Sequence, residues 1–331
     1  MKLSVLDQSP IIGDATPSTA IHSTIELARI ADHLGYHRFW LAEHHALRGL
    51  ADASPEILLA RIGCETTRIR IGTGGIMLPY YSTFKIAEQF KMLEALYPGR
   101  VDLGVGRAPG GHPRTARVLF DGRPIGGEED FVRQLAELSA IYKGTVPEGH
   151  PLHGQIVNPL GPTAPELWVL GSSTGGAAFA SHLGMRYAYA NFINPHGGAR
   201  VAAAYRQHFQ PGHEPKPHMA VAVLAVCAES DAQAELIERA ICLRWVNTAY
   251  GRETPVPTLE QAAQHQFSPE ELSIASRERP RAILGTVERV ADEIRAIQAA
   301  FEADEVIVVS MAPSYELRKA TIEQLAKAFS L

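Results

Sequence analysis

Short apolar runs and amphipathic stretches alternate along this chain almost from end to end. Runs of strand length lie at 3–6, 37–41, 69–72, 101–105, 167–170, 187–190, 219–227 and 305–310. Stretches with apolar residues at helical spacing fall between them, near 18–34, 55–66, 83–97, 127–143, 174–183, 197–209 and 231–249. Two more lie near 286–301 and 315–329. This alternation predicts a parallel sheet, because parallel neighbours need a crossover that a helix supplies. Some strands are apolar at every position, as in Val306-Ile307-Val308-Val309, which predicts burial on both faces. Eight strand–helix units favour a closed (β/α)8 TIM barrel over an open doubly wound sheet.

Helix-start signals agree with this pattern. Ser54-Pro55-Glu56 reads as a cap, a first helical position and an acid in the first turn, and Thr16-Pro17 reads similarly. Ser268-Pro269-Glu270-Glu271 fits a capping box. Two regions break the rhythm and are expected as insertions after strand 4 and near strand 7. Segment 144–166 is rich in Gly, Pro and His, with a short strand or hairpin expected at 152–157. Segment 250–285 is polar and carries a short helix of its own. No repeat, low-complexity tract or linker divides the chain, so one domain over 1–331 is expected.

Composition narrows the function classes. A hydrophobic share of 46% supports one large core, and a net charge of -5 with no basic face argues against nucleic acid as a partner. Three widely spaced cysteines, Cys64, Cys227 and Cys242, suit a reducing compartment better than a disulfide framework. The apolar run at the N-terminus is too short for a signal peptide, and 219–228 is about half the length a bilayer span needs. A cytoplasmic protein without membrane contact is expected.

Three consecutive strands end in unusual chemistry, as a site at one end of a parallel barrel would. The first leads into Glu43-His44-His45. Neighbouring residues on an extended segment face opposite ways, so one histidine can look into a cavity while the other braces the loop. His44 is the candidate general base. The second strand runs into Gly72-Thr73-Gly74-Gly75-Ile76-Met77-Leu78-Pro79. There Gly74 and Gly75 either admit a flat ring against the backbone or mark a bulge or sharp turn. The third ends in Gly104-Val105-Gly106-Arg107-Ala108-Pro109-Gly110. This turn fails as a dinucleotide fingerprint, because its third glycine falls late and Pro109 to Pro113 delays the helix. Arg107 can instead clamp an anion, with Gly106 letting a ligand come close. One strand further on, Gly171-Ser172-Ser173-Thr174-Gly175-Gly176 opens a helix. Its hydroxyls and amides at a positive helix end suit a phosphate, and simple capping by Ser173 or Thr174 is compatible with that. No zinc-type cluster, strand-end Schiff-base lysine or Gly-x-Ser-x-Gly elbow is present, so no metal site is expected.

These stretches together resemble the bacterial luciferase-like flavin monooxygenase family. Leu93-Glu94-Ala95-Leu96-Tyr97-Pro98-Gly99-Arg100 and Gly285-Thr286 add to the likeness, which spans nearly the whole chain. The resemblance implies a barrel that binds FMN at its C-terminal mouth, with the histidine matching His44 near the flavin. It implies a cis peptide at Gly74-Gly75 under the ring. The phosphate would be held by Arg107 and by amides of Ser172, Ser173, Thr174, Gly175 and Gly176. Two departures from luciferase itself, Ser172 in place of an acid and Ala108-Pro109-Gly110 in place of an aromatic, place the likeness in the non-luminescent branch.

The resulting expectation is an FMN-dependent monooxygenase that uses reduced flavin and O2 to oxygenate a small organic substrate. A separate flavin reductase would supply the reduced flavin, and the protein would be a homodimer. Segments 144–166 and 250–285 are candidate lids. The rival readings are a deazaflavin-dependent hydride-transfer oxidoreductase, a flavin-binding barrel without turnover, and a metal-dependent hydrolase.

Overall fold

The computed structural model describes residues 1–107, 112–124 and 126–331. Eight parallel strands close into a ring: β1 (Lys2–Asp7), β2 (Arg38–Leu41), β3 (Arg70–Met77), β4 (Val101–Gly106), β5 (Glu166–Gly171), β6 (Arg186–Ala190), β7 (Met219–Ala228) and β9 (Glu305–Val309). Closure comes from β9, which pairs with β7 on one side and β1 on the other. This is the (β/α)8 barrel the alternation predicts. No helix among the described residues is long and apolar enough to cross a membrane.

The helices between strands are α1 (Pro17–Leu34), α2 (Pro55–Glu65), α3 (Thr83–Leu96), α4 (Pro113–Phe120), α5 (Glu128–Lys143), α6 (Thr174–His182) and α7 (Gly198–Gln207). After β7 come α8 (Asp231–Ala249), α9 (Leu259–Gln264), α10 (Pro269–Glu278), α11 (Val287–Phe301) and, last, α12 (Tyr315–Phe329). Local chemistry starts them where the sequence indicates. The Thr16 side chain accepts from the Thr19 amide at 3.1 Å, and Ser268 with Glu271 forms the reciprocal capping box. Ser54 departs from expectation. Its side chain caps nothing, and its own amide is taken by Asp52 Oδ1 at 3.2 Å.

Strand β7 shows why some strands are apolar throughout. Val221, Val223, Ala225 and Cys227 pack outward under the helices, while Ala220, Ala222, Leu224 and Val226 face the barrel interior. Small inward residues such as Ala188, Ala220 and Ala222 leave room for Trp40 and Trp168, whose rings meet edge to face at 5.3 Å.

The amino end of the barrel is plugged by charge. Arg38, buried at the start of β2, donates to Asp102 at 2.6 Å and to Glu305 at 2.7 Å. Arg70 also reaches Asp102 at 2.6 Å, and Arg186 reaches Glu166 at 2.6 Å. Burial alone would raise the Asp102 pKa, but Arg38 and Arg70 hold it below the usual carboxylate range. Breaking such a network leaves a buried charge alone and costs about 3–5 kcal/mol. With this end sealed, a ligand enters from the carboxyl end.

Three expectations need correction. Segment 152–157 forms turns, not a strand or hairpin. Segment 250–285 holds two helices, α9 and α10, and a ninth strand, β8 (Ala282–Thr286), which pairs only with the carboxyl half of β7. Strand β3 continues through the glycines to Met77, with a register shift between Gly74 and Ile76 against β4. The bulge and the strand end are therefore one feature.

Candidate active site

The carboxyl ends of β2 to β6 surround a cavity of about 230 Å³. Its floor is made by inward side chains of the barrel, among them Leu6, Trp40, Ala222 and Ile307. Its wall contains His44, Gly74, Gly75, Gly106, Arg107, Ser172, Ser173 and Gly176. Eight of the ten residues singled out in the sequence thus meet at one opening. Thr174 and Gly175 begin α6 but are not in the wall. Ala108, Pro109, Gly110 and Gly111 lie outside the described residues. Wider depressions of about 510 and 650 Å³ lie along helices α3 to α5 and along α8 and α10, away from the barrel interior.

The two histidines divide their work. His45 turns away from the cavity and donates to Glu43 Oε1 at 2.5 Å. Glu43 is fully buried, and its other contacts explain its place in the motif. It accepts from the Tyr81 hydroxyl at 2.5 Å and from the Met77 amide at 2.7 Å, tying the end of β3 to the loop after β2. The sequence reading quotes Glu43 but gives it no role.

His44 lines the cavity. Its amide donates to the Asp52 carbonyl at 3.1 Å, and its Nδ1 lies 3.2 Å from the Ala42 carbonyl. That contact makes Nδ1 the protonated nitrogen and leaves the Nε2 lone pair free. Burial lowers the pKa to about 4, with smaller contributions of the same sign from Arg244 and His45. The ring is therefore neutral near pH 7, which is the form a base needs. Its pull on a proton is weaker than the sequence reading, a base near neutral pH, would give.

The glycines serve two purposes. A Cβ on Gly75 would fall 2.5 Å from the Gly104 carbonyl oxygen and 2.4 Å from Leu170, so barrel packing alone requires glycine there. The Gly74–Gly75 peptide is cis. Gly106 differs. Among the described residues, nothing lies within 4 Å of a Cβ built on it, and its φ is not positive. No contact with a described residue demands glycine at that point, and Gly106 lines the cavity.

Arg107 is half-exposed at the mouth and donates to Glu128 Oε1 at 2.5 Å. Across the neighbouring strand, Ser173 is the cap residue of α6 yet makes no side-chain cap bond. Hydroxyl capping, the plainer reading of this loop, is absent, so the first-turn amides are not satisfied that way. Asn194 and the Tyr187 hydroxyl hold the loop by the carbonyls of Ser172 and Ser173, at 3.0 and 3.2 Å. A guanidinium and an uncapped helix amino end on adjacent strands suit a phosphate.

The sequence reading missed Gln8 in the wall and Asp52 behind His44. Gln8 directly follows β1, so its position just past a strand end was the available signal. No group of three or more His, Cys, Asp or Glu placed to hold a metal ion occurs among the described residues.

Comparison with known proteins agrees with this geometry. The family model described as luciferase-like monooxygenase matches residues 1–303. The N-acetyl-S-alkylcysteine monooxygenase of Bacillus subtilis (strain 168) is 34% identical over 312 residues, covering 93% of this chain and 92% of that protein. The crystal structure of apo-MsnO8 superposes with a TM-score of 0.91 at 39% identity, over 100% of this chain and 98% of that one. The oxygenating constituent of 3,6-diketocamphane monooxygenase of Pseudomonas putida, in complex with FMN, has a TM-score of 0.71. It is 18% identical, over 99% of this chain and 97% of that one, a likeness of fold alone.

Proposed function

The chain belongs to the luciferase-like monooxygenase family, and from that premise we propose that it is an FMN-dependent monooxygenase acting with O2 on a small organic substrate. A separate reductase would deliver the reduced flavin. The observation that carries this reading is the meeting of Arg107, the uncapped amino end of α6, Gly106 and His44 around one cavity. The enclosed volume of about 230 Å³ is below the ~300–1,000 Å³ of typical ligand sites. A flavin would therefore fill it and extend along the rim toward Arg107.

FMN, when bound, supplies the chemistry with oxygen. The protein supplies the rest. Arg107 and the amides of Ser173 to Gly176 hold the phosphate. Gly106 leaves room for the ligand. The floor of Leu6, Trp40, Ala222 and Ile307 keeps water from below. His44, neutral and with Nε2 free, accepts a hydrogen bond or a proton from a group in the cavity.

The experiment is aerobic turnover with reduced FMN and a panel of substrates, following flavin oxidation and oxygen incorporation. Oxygenated product supports the proposal. Hydride transfer to or from an added deazaflavin, without oxygen in the product, supports the deazaflavin alternative. Tight FMN binding without product would leave a binding barrel.

A further inference from the structure

The end of β1 runs through Leu6, Asp7 and Gln8, which face alternate ways as residues of an extended segment do. Leu6 points inward and forms part of the cavity floor. Asp7 points outward, where it accepts from the Thr24 hydroxyl of α1 at 2.8 Å and from the Arg318 guanidinium of α12. Gln8 points inward again, and it lines the cavity. The backbone is fixed on its far side as well. Ser9, at φ 47°, donates its amide to Asp7 Oδ1 at 2.6 Å, and its carbonyl accepts from the Ala51 amide at 2.9 Å. Gln8 is thus held between two anchored neighbours.

The residue is only 9% exposed, and among the described residues its carboxamide has no hydrogen-bond partner. It is not sealed in protein as Asp52 Oδ2 and Trp168 Nε1 are; the surface it keeps opens on the cavity. Its neighbours in the wall on the same and flanking strands, Leu6, Trp40 and Ile307, are apolar. A donor and an acceptor so far withdrawn from water are unfavourable unless a ligand meets them. Topology says which part of a ligand that is. In the closed ring, β5 lies four strands from β1 in either direction, so Gln8 stands across the mouth from the amino end of α6. Along the arc between them come Arg107 after β4, Gly74 and Gly75 in β3, and His44 after β2. A flavin whose phosphate sits at Arg107 and α6 runs its ring toward β1. The enclosed volume of about 230 Å³ is small even for one ligand, so the group that meets Gln8 is the ring rather than a substrate beside it.

We infer that Gln8 recognises the imide edge of the isoalloxazine. Its carboxamide NH2 donates to a ring carbonyl, and its carbonyl oxygen accepts from the ring N3–H, a pairing that matches donor and acceptor on both sides. This rests on the flavin-site reading, because it assigns the far end of that same site. The cofactor is then held at two poles, by charge at the phosphate and by neutral hydrogen bonds at the ring.

The test titrates FMN, riboflavin and their N3-methyl derivatives into wild type and Gln8→Met by quenching of flavin fluorescence. Methionine keeps the length of the side chain and removes its hydrogen bonds, and a thermal melt checks that the variant folds. Two neutral hydrogen bonds in a buried wall are worth at least about fivefold in Kd. Gln8→Met therefore weakens FMN and riboflavin by the same factor, whereas a phosphate contact would affect FMN alone. N3-methylation weakens binding to wild type by at least as much, and weakens it less in Gln8→Met. Equal flavin affinity in the two proteins, or the same methylation penalty in both, overturns the inference and leaves the flavin reading standing. Flavins that do not bind wild type at all end that reading and the inference with it. If Gln8→Met does not fold, wild type decides alone: FMN and N3-methyl-FMN binding equally well overturns the assignment.

Discussion

Replacing Arg107 by alanine tests how the cavity would hold a phosphate. The side chain is about half-exposed, and its partner Glu128 is 60% exposed. Their ion pair is worth about 0–1 kcal/mol at that exposure, so giving it up for a phosphate costs little. A charge-assisted bond to phosphate is worth about 1.5–3 kcal/mol, or ~10–150-fold in Kd. Partial solvation places Arg107→Ala near the low end, at about 10–30-fold weaker FMN binding. Two controls make the number specific. Riboflavin, which lacks the phosphate, should bind wild type and Arg107→Ala alike. Glu128→Gln removes the competing carboxylate and should tighten FMN by up to about fivefold. Quenching of flavin fluorescence on titration gives all three constants. An equal loss for riboflavin and FMN, or weaker FMN binding in Glu128→Gln, refutes the assignment of Arg107 to the phosphate.

Other consequences follow from individual residues. Gly106→Val adds side-chain atoms where no atom of a described residue lies within 4 Å of the Cβ; the melting temperature should hold while FMN affinity falls, and a fall in both would show that the glycine serves the fold. Asp52 is buried, with Oδ2 unpartnered and its pKa raised by burial to about 7 from 3.8. A raised acid pKa means stability that is present below the unfolded value and lost as pH rises through the folded one. Asp52→Asn should thus melt higher than wild type above pH 7, by at most ~4 kcal/mol in stability, with the gap shrinking toward pH 4. Equal melting curves at pH 8 and pH 5 would contradict this. Glu43→Gln leaves one oxygen for three donors and should cost about 2–4 kcal/mol by chemical denaturation. A loss under about 0.5 kcal/mol would mean that Glu43 does not tie β3 to its neighbouring loop.

The barrel was legible because its signal repeats: eight apolar runs, each with a helix behind it, closed in the ring that the period implies. The plug at the amino end was legible too, but went unread. Arg38, Arg70, Glu166, Arg186 and Glu305 each open a strand, and Asp102 is the second residue of its own. A charge at the foot of an otherwise apolar run on strand after strand points to a shared network. Strand β8 was hidden because five residues pairing with only half of β7 carry too little periodicity. In the site, glycines and hydroxyls at strand ends drew attention by residue type. Gln8 and Asp52 did not, because a lone glutamine or aspartate in a loop carries no pattern of its own.

The central claim is that one cavity at the carboxyl end of the barrel takes FMN by its phosphate and its ring together. A crystal structure of the FMN complex tests this most directly. The account predicts the phosphate within hydrogen-bond distance of Arg107 and the first-turn amides of α6, with the ring beside Gly74, Gly75 and His44. Flavin density with its phosphate away from Arg107 and α6, or bound outside the ring of strand ends, would contradict it.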